Sequence, residues 1–481
     1  MRILRLVLVL GLSIGLLLTK DIIGQINLAK PTGTVYDVSA RDLQLNCTGP
    51  AYVAGGKTGI SVTNFSRLGQ VSLSSSYSGK SGTAFISGQS APLVGYGGRQ
   101  DLSDQTSATR LLTVKDSSGK AAQGSELLTA TQTQLAADSK IRGLLASPCL
   151  RPRSEFWFVG GATKVGREAL LILNNPSPVD ATVDLEVFTE NGASHSSGLS
   201  GIAVAKGKTT ILPLASFVLG ADSIAVHVIS RGGSITSVIQ QKAVRGLSAS
   251  GADYVLPSET LDKVSYFPGL LVRGQVDSAT LRKNNSKYYD VQNMLRVYVP
   301  GDKDANLTLQ ILGSGSTTFG TVLQVSAAAG KVTDFDVPGL QDGDYFGILN
   351  SDVPVRSAFR LVRSRVGADA YTDFAWINSA EQINSVRYVA VPRSGVSKLA
   401  LVNATNKMVD VQLTSGASVS VAHIKPLSEA IITASPGLAI GISPSATGIY
   451  ANLVIDVVGR VSVIPALDEK NISGQVLVSV H

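Results

Sequence analysis

From Phe156 onward the chain alternates apolar and polar positions with a period of two. Val183-Asp184-Leu185-Glu186-Val187 and Val409-Asp410-Val411-Gln412-Leu413 are the clearest stretches. In an extended strand such residues place every apolar side chain on one face and every acid or amide on the other. Strands of this half-wet kind belong to antiparallel sheets. Asn174-Asn-Pro-Ser-Pro178, Glu190-Asn-Gly192, Arg231-Gly-Gly233 and Asp342-Gly343 supply turn chemistry between them. Upstream the pattern is weaker. Gly59–Thr63, Gln70–Ser74 and Thr109–Val114 read as short strands, and residues 125–145, with Leu127, Leu128 and Leu135, read as one short helix.

The strands recur as a theme. Gly166–Asn174 followed by Ala181–Phe188 matches Gly395–Asn403 followed by Val409–Leu413, and in both the glycine and the final asparagine stand eight positions apart. A more divergent copy runs through Leu295–Val299, Ala305–Ile311, Lys331–Val337 and Tyr345–Leu349. Seven or so short strands in about a hundred residues is the size of an immunoglobulin-like β-sandwich. The predicted fold is therefore all-β, with tandem sandwich modules and a β-propeller-like repeat assembly as the alternative. Three unequal copies are too few to close a ring unless residues 46–150 supply another. The expected division is residues 1–20 as a signal peptide or signal-anchor, 21–45 as a linker and 46–150 as a Ser/Gly-rich β region. Repeats follow at 151–260, 261–385 (divergent) and 386–481.

The N-terminus changes the picture of where this protein works. Arg2 and Arg5 precede an apolar run from Leu6 to Thr19. That run suits a signal h-region better than a full span of about 20 residues. The flanking charges favour N-terminus inside and the remainder outside. Small residues suited to cleavage are poorly placed after it, so an uncleaved anchor and a cleaved signal both stay open. In an exported chain the even count of Cys47 and Cys149 suggests a disulfide. Closing a loop of roughly a hundred residues, it would contribute roughly 4 to 5 kcal/mol by loop entropy.

Composition adds little chemistry. The net charge of +7 is spread thinly over 481 residues, of which 16% are charged. Arg360-Leu-Val-Arg363-Ser-Arg365 is a notable basic run and reads as an edge strand. No stacking motif or dense Arg/Lys stripe points to nucleic acid. The four histidines, His195, His227, His423 and His481, lack metal-ligand spacing, so no metal or cofactor is expected. Gly160-Gly161 lacks the Gly-Lys-Ser/Thr of a phosphate loop and reads as a turn. Asp334, Asp336, Asp342 and Asp344 meet the calcium-loop pattern only in part, and Pro338 and Tyr345 break it. They read as solvated strand ends. The only two tryptophans, Trp157 and Trp376, are either sugar-stacking platforms or core aromatics. Their apolar neighbours favour the core, and Trp157 is expected to be buried at a junction.

Cys47-Thr-Gly-Pro50, Cys149 with Trp157-Phe-Val-Gly160, and the Gly-x-x-x-Leu…Asn-Pro strand and turn that follow resemble a group of uncharacterised exported proteins of actinobacteria, known only as a domain of unknown function. The resemblance spans roughly residues 45–465. It implies a membrane or secreted protein, encoded near cell-envelope glycosyltransferases, and carries over no catalytic residue. The third copy has Ala404-Thr405 where the first has Asn175-Pro176, which puts that turn in doubt. The expected function is a non-catalytic envelope protein whose β-domains bind a wall polymer or a partner protein. The alternatives are a glycan-acting enzyme with loop carboxylates and a plain spacer.

Overall fold

The computed structural model describes residues 43–54, 64–78, 82–87, 99–116, 127–314 and 319–467, together with the backbone of two terminal strands. Those two, Thr34–Val38 and Gly474–Val478, pair antiparallel with each other. They belong to a unit of their own, distinct from the unit Asp42–Asn471. The apolar segment 6–19 and the expected strand Gly59–Thr63 lie outside the described residues. No helix among the described residues is long and apolar enough to cross a membrane. Strands make up 61% of the structure, beside a single α-helix among the described residues, so the chain is all-β.

One topology explains the whole of the larger unit. The copy Glu155–Val255 has eight principal strands in two sheets, beside the two-residue strand Gly192–Ala193 that pairs with Ala181–Thr189. Its first sheet follows the order first, sixth, third, fourth: Glu155–Val159, Ile224–Gly232, Ala181–Thr189 and Ile202–Val204. Its second follows the order fifth, second, seventh, eighth: Thr209–Pro213, Arg167–Asn174, Thr236–Arg245 and Ser248–Val255. The copy Arg387–Pro465 repeats both orders strand for strand. The divergent copy Asp262–Asn378 repeats them too, with its sixth and seventh strands fused into one 23-residue strand, Gly343–Arg365. That strand pairs in the first sheet through Gly343–Ser351 and in the second through Arg356–Arg365.

Residues 43–148 are a further copy. Leu43–Cys47, Arg110–Asp116 and Gly82–Ile86 form the first sheet in the order first, sixth, third. Arg99–Thr106, Val71–Ser78, Leu127–Ala137 and Arg142–Pro148 form the second in the order fifth, second, seventh, eighth. A strand at the fourth position is not among the described residues. We number the copies I to IV in chain order. The short helix expected within 125–145 is thus a hairpin of two strands. Alternating Thr129, Thr131 and Thr133 favour extended backbone, and Gln132 and Gln134 are drawn inward by the backbone of Gly49 and Ala51. Insertions fall between the first and second strands: a hairpin of Tyr52–Ala54 with Phe65–Arg67 in copy I, and the helix Gln275–Asn284 in copy III.

The apolar pattern follows from the layering. In Ala181–Thr189, Val183, Leu185 and Val187 are buried while Asp184 and Glu186 face outward. In Arg167–Asn174 four successive residues, Leu170 to Leu173, are all buried. Leu171 and Leu173 join the core of copy II itself, whereas Leu170 and Ile172 join a core shared with copies I and IV. A second sheet is therefore covered on both faces, and its strands are apolar throughout. The glycine that opens the repeat has a cause as well. Gly166 and Gly395 sit at φ +81° and +80°, and a Cβ there would lie 2.6 Å from the Val244 carbonyl oxygen and 2.3 Å from that of Asp456.

The turn after the second strand is conserved between copies II and IV in geometry, one residue out of register with the glycine spacing. Asn175 Nδ2 donates to the Val179 and Val204 carbonyls, and its Oδ1 accepts from Ser177 N. Asn403 Nδ2 donates to the Lys407 and Ile424 carbonyls, and its Oδ1 accepts from Thr405 N. Asn403 therefore corresponds to Asn175, not Asn174, and Ala404-Thr405 makes the same turn as Pro176-Ser177.

The eighth strands join the copies. Each contacts the next in the order I, II, III, IV, and that of copy IV contacts that of copy I, which closes the cycle. Two buried aspartates bond across it. Asp373 of copy III accepts from Leu144 N of copy I at 3.1 Å and Ala252 N of copy II at 3.2 Å. Asp253 of copy II accepts from Trp376 N of copy III at 2.9 Å and Ser462 Oγ of copy IV at 2.7 Å.

Candidate functional site

Most groups with chemical potential are consumed inside the fold. Cys47, which ends the first strand of copy I, is bonded to Cys149, which follows the eighth, so the disulfide ties the start of that copy to its end. The run Arg360–Arg365 is not an edge strand. It lies in the fused strand between Met294–Tyr298 and Tyr371–Asn378. Arg363 is buried against Asp456 and the Leu271 carbonyl. Arg360 donates to the Asp290 carbonyl. Asp290 also receives Arg167 and Arg245. Burial pushes its carboxyl upward, but Arg360, Arg167 and Arg245 outweigh burial and hold it at about 2.

The acidic group read as solvated is partly structural. Asp334 pairs with Arg296, which is fully buried. Asp342 accepts from the first backbone N–H groups of the helix region, Gly274 and Gln275. Asp344 pairs with Arg273. Gly160-Gly161 is a connection, and the Gly161 carbonyl accepts from Arg296. No cluster of metal-ligating residues occurs among the described residues.

The two tryptophans differ. Trp376 is buried, and its Nε1 donates to Gln241 Oε1 at 2.7 Å. The guanidiniums of Arg296 and Arg360 lie 4.8 and 5.9 Å from its ring. Trp157, expected to be buried, is half-buried where the first sheet of copy II meets copy III. His227 stacks on it at 4.0 Å from the neighbouring strand. The backbone N–H of Ser258 donates to the Trp157 carbonyl. The Ser258 and Thr260 carbonyls hold Arg356 there, 4.5 Å from the ring. His227 and Arg356 thus both pack against the ring. Its burial is incomplete because the cluster lies at the rim, where Glu155 and Glu186, each largely exposed, grip the two nitrogens of His227 at 2.9 and 2.8 Å.

The surface that stands out is the end where the first-to-second, third-to-fourth, fifth-to-sixth and seventh-to-eighth connections emerge. Alternating antiparallel strands put these connections together in each copy. The eighth strands run in register in one direction, with Ser250 beside Thr372 and Ala252 beside Asp373, so the copies share this end. The five most exposed large apolar side chains among the described residues all lie there: Val165, Leu219, Leu247, Val276 and Val458, between 72% and 99% exposed. Sequence reasoning missed them, because an isolated apolar residue in a turn carries no periodic signal. Beside Val165 opens a cleft of about 610 Å³ between copies II and III, lined also by Arg167, Lys242, Arg245, Lys287 and Tyr289. Asp290 neutralises its two arginines and Glu168 its Lys242, which leaves Lys287 free to meet an anion.

Comparison with known proteins adds a family without a function. The sequence profile of DUF5719, a family of unknown function, matches residues 102–425, from the first copy into the fourth. No curated protein and no solved structure matches the chain.

Proposed function

Because the chain belongs to the DUF5719 family of unknown function, we propose its role from its own chemistry: a non-catalytic envelope protein, exported by its N-terminal segment, that acts as a binding scaffold. In this reading the copies are β-sandwich modules joined in a ring through their eighth strands, and the protein serves an actinobacterial envelope. The observation that carries the proposal is the division of labour among side chains. Asp253, Asp290, Asp373 and Glu429 are tied into contacts between copies, and Asp334 is tied to the buried Arg296 of its own copy. What one end presents instead is apolar tips and cations, the chemistry of docking. Wall polymer and envelope proteins are the candidate ligands.

The test is co-sedimentation of the purified full chain with isolated cell wall and with membranes from the same cells. Saturable binding with no release of soluble wall fragments supports the scaffold. Release of fragments that stops on substitution of a surface carboxylate would replace it with a glycan-acting enzyme.

A further inference from the structure

We propose that the connection end is a docking surface for an anionic lipid bilayer. The inference rests on the extracytoplasmic, membrane-associated part of the reading above and adds the partner and the orientation. Three observations carry it. The first is the set of apolar tips, which come from three different copies yet share one end. Single exposed apolar residues are ordinary on protein surfaces. Five of the most exposed gathered at one end are not.

The second is charge. In the connections at this end and the strand residues flanking them, the exposed Lys and Arg side chains among the described residues are Lys140, Arg142, Lys283, Lys287, Arg365 and Arg393, against the exposed acids Asp222, Asp336, Asp342 and Asp369. Among the described residues none of the six cations has a carboxylate partner within ion-pair distance, unlike the buried Arg296 and Arg363. Cations of this kind are drawn to the negative potential of an anionic leaflet.

The third is Val458. It occupies the tip of the Val457–Arg460 hairpin at φ +53°. A β-branched residue in the left-handed region is a genuine outlier, and the corresponding tip of copy II has Gly246 at φ +66°. The fold accepts strain at Val458 and gains no burial from it, since the side chain is 72% exposed. Such a residue makes sense if its side chain is buried only when something docks.

An apolar tip flanked by free cations suits an interface where acyl chains lie under anionic headgroups. A hydrated anionic polymer would engage the cations and leave Leu247 and Val165 in water. A bilayer satisfies both.

Both native cysteines are bonded to each other, so one introduced cysteine takes one fluorophore. The full chain is labelled at Leu247→Cys, on the connection end, or at Met408→Cys, an exposed residue at the opposite end. Each is reconstituted into phosphatidylglycerol/phosphatidylcholine or pure phosphatidylcholine vesicles that carry quencher-labelled acyl chains. The expected result is strong quenching at position 247 in anionic vesicles, severalfold weaker quenching in neutral ones, and little at position 408. Combining Lys283→Glu, Lys287→Glu, Arg365→Glu and Arg393→Glu should reduce the anionic signal to the neutral level. Val458→Gly should weaken it while the melting temperature holds or rises.

Equal quenching at both positions, or equal quenching in both lipids, overturns the proposal. So does a shift of the 247 label by isolated anionic wall polymer without lipid, which would assign the end to the polymer. If saturable wall binding persists while the 247 label stays unquenched, this inference fails and the scaffold reading stands.

Discussion

Asp373 makes the stability of the four-copy unit depend on pH in a direction opposite to that of an ordinary salt-bridged carboxylate. Its side chain is 1% exposed. Burial raises its pKa from the ordinary 3.8 to about 7, against the opposing pull of backbone N–H groups from Leu144, Ala252 and Phe374. A carboxyl whose folded-state pKa is raised binds its proton more tightly in the folded state than in the unfolded one. The folded state is therefore favoured most below pH 3.8, and that advantage is lost as pH rises through about 7. A shift of about three units at 1.36 kcal/mol each corresponds to about 4 kcal/mol over that window. Asp373→Asn cannot titrate. It also turns an acceptor into a donor facing one N–H, which costs about 1–3 kcal/mol at every pH. The measurement is chemical denaturation of both proteins from pH 4 to 8, with the difference in unfolding free energy plotted against pH. Stability of the parent relative to Asp373→Asn should fall by several kcal/mol from acid to neutral pH, with most of the change complete by about pH 7.5. A flat difference would show that the site is wetter than the structure has it. A difference that rises with pH would show that the two inter-copy N–H bonds hold the carboxylate ionised and that burial loses the contest.

Three further outcomes are expected. Replacing Cys47 and Cys149 together by alanine should cost roughly 4 kcal/mol, because the bridge closes a loop of 102 residues; the loss is read from denaturant midpoints with and without reductant. Asn403→Ala, which removes two donors to carbonyls and an acceptor for Thr405 N, should destabilise by about 2–3 kcal/mol, and Asn175→Ala by a similar amount; a large effect at Asn174→Ala and none at Asn175→Ala would reinstate the eight-residue alignment. Trp376→Ala should cost about 3–5 kcal/mol through the cavity it leaves, whereas Trp157→Ala, at the half-exposed rim, should cost less, and a reversed order in thermal melts would refute the assignment of Trp376 to the core.

The fold was legible wherever burial is one-sided. Val183-Asp184-Leu185-Glu186-Val187 announces a strand because one face meets water, and the alternation survives in the residues. It fades in the second sheets, where Leu170 to Leu173 are buried on both faces. It is nearly lost in copy I, where Ser74, Ser75 and Ser76 fill buried positions that a periodicity argument assigns to apolar side chains. That substitution hid the fourth copy, and with it the closure of the cycle that three copies could not make. The charged residues were misread for a related reason. Asp334, Arg360 and Arg363 look like surface residues because their partners are distant in sequence or lie on another copy: Arg296, Asp290 and Asp456. No local pattern records a partner 93 residues away. The connection end was illegible on different grounds. Val165, Leu247 and Val458 sit alone among glycines and polar residues, and each by itself is unremarkable. They become a surface only because eight strands alternate direction and four copies align their eighth strands, a fact of topology rather than of any stretch of sequence. Topology also separates the two classes of charge. Arg167 and Arg363 reach carboxylates on another copy, Asp290 and Asp456, while Lys140, Lys283 and Lys287 stay exposed at the end where the apolar tips stand.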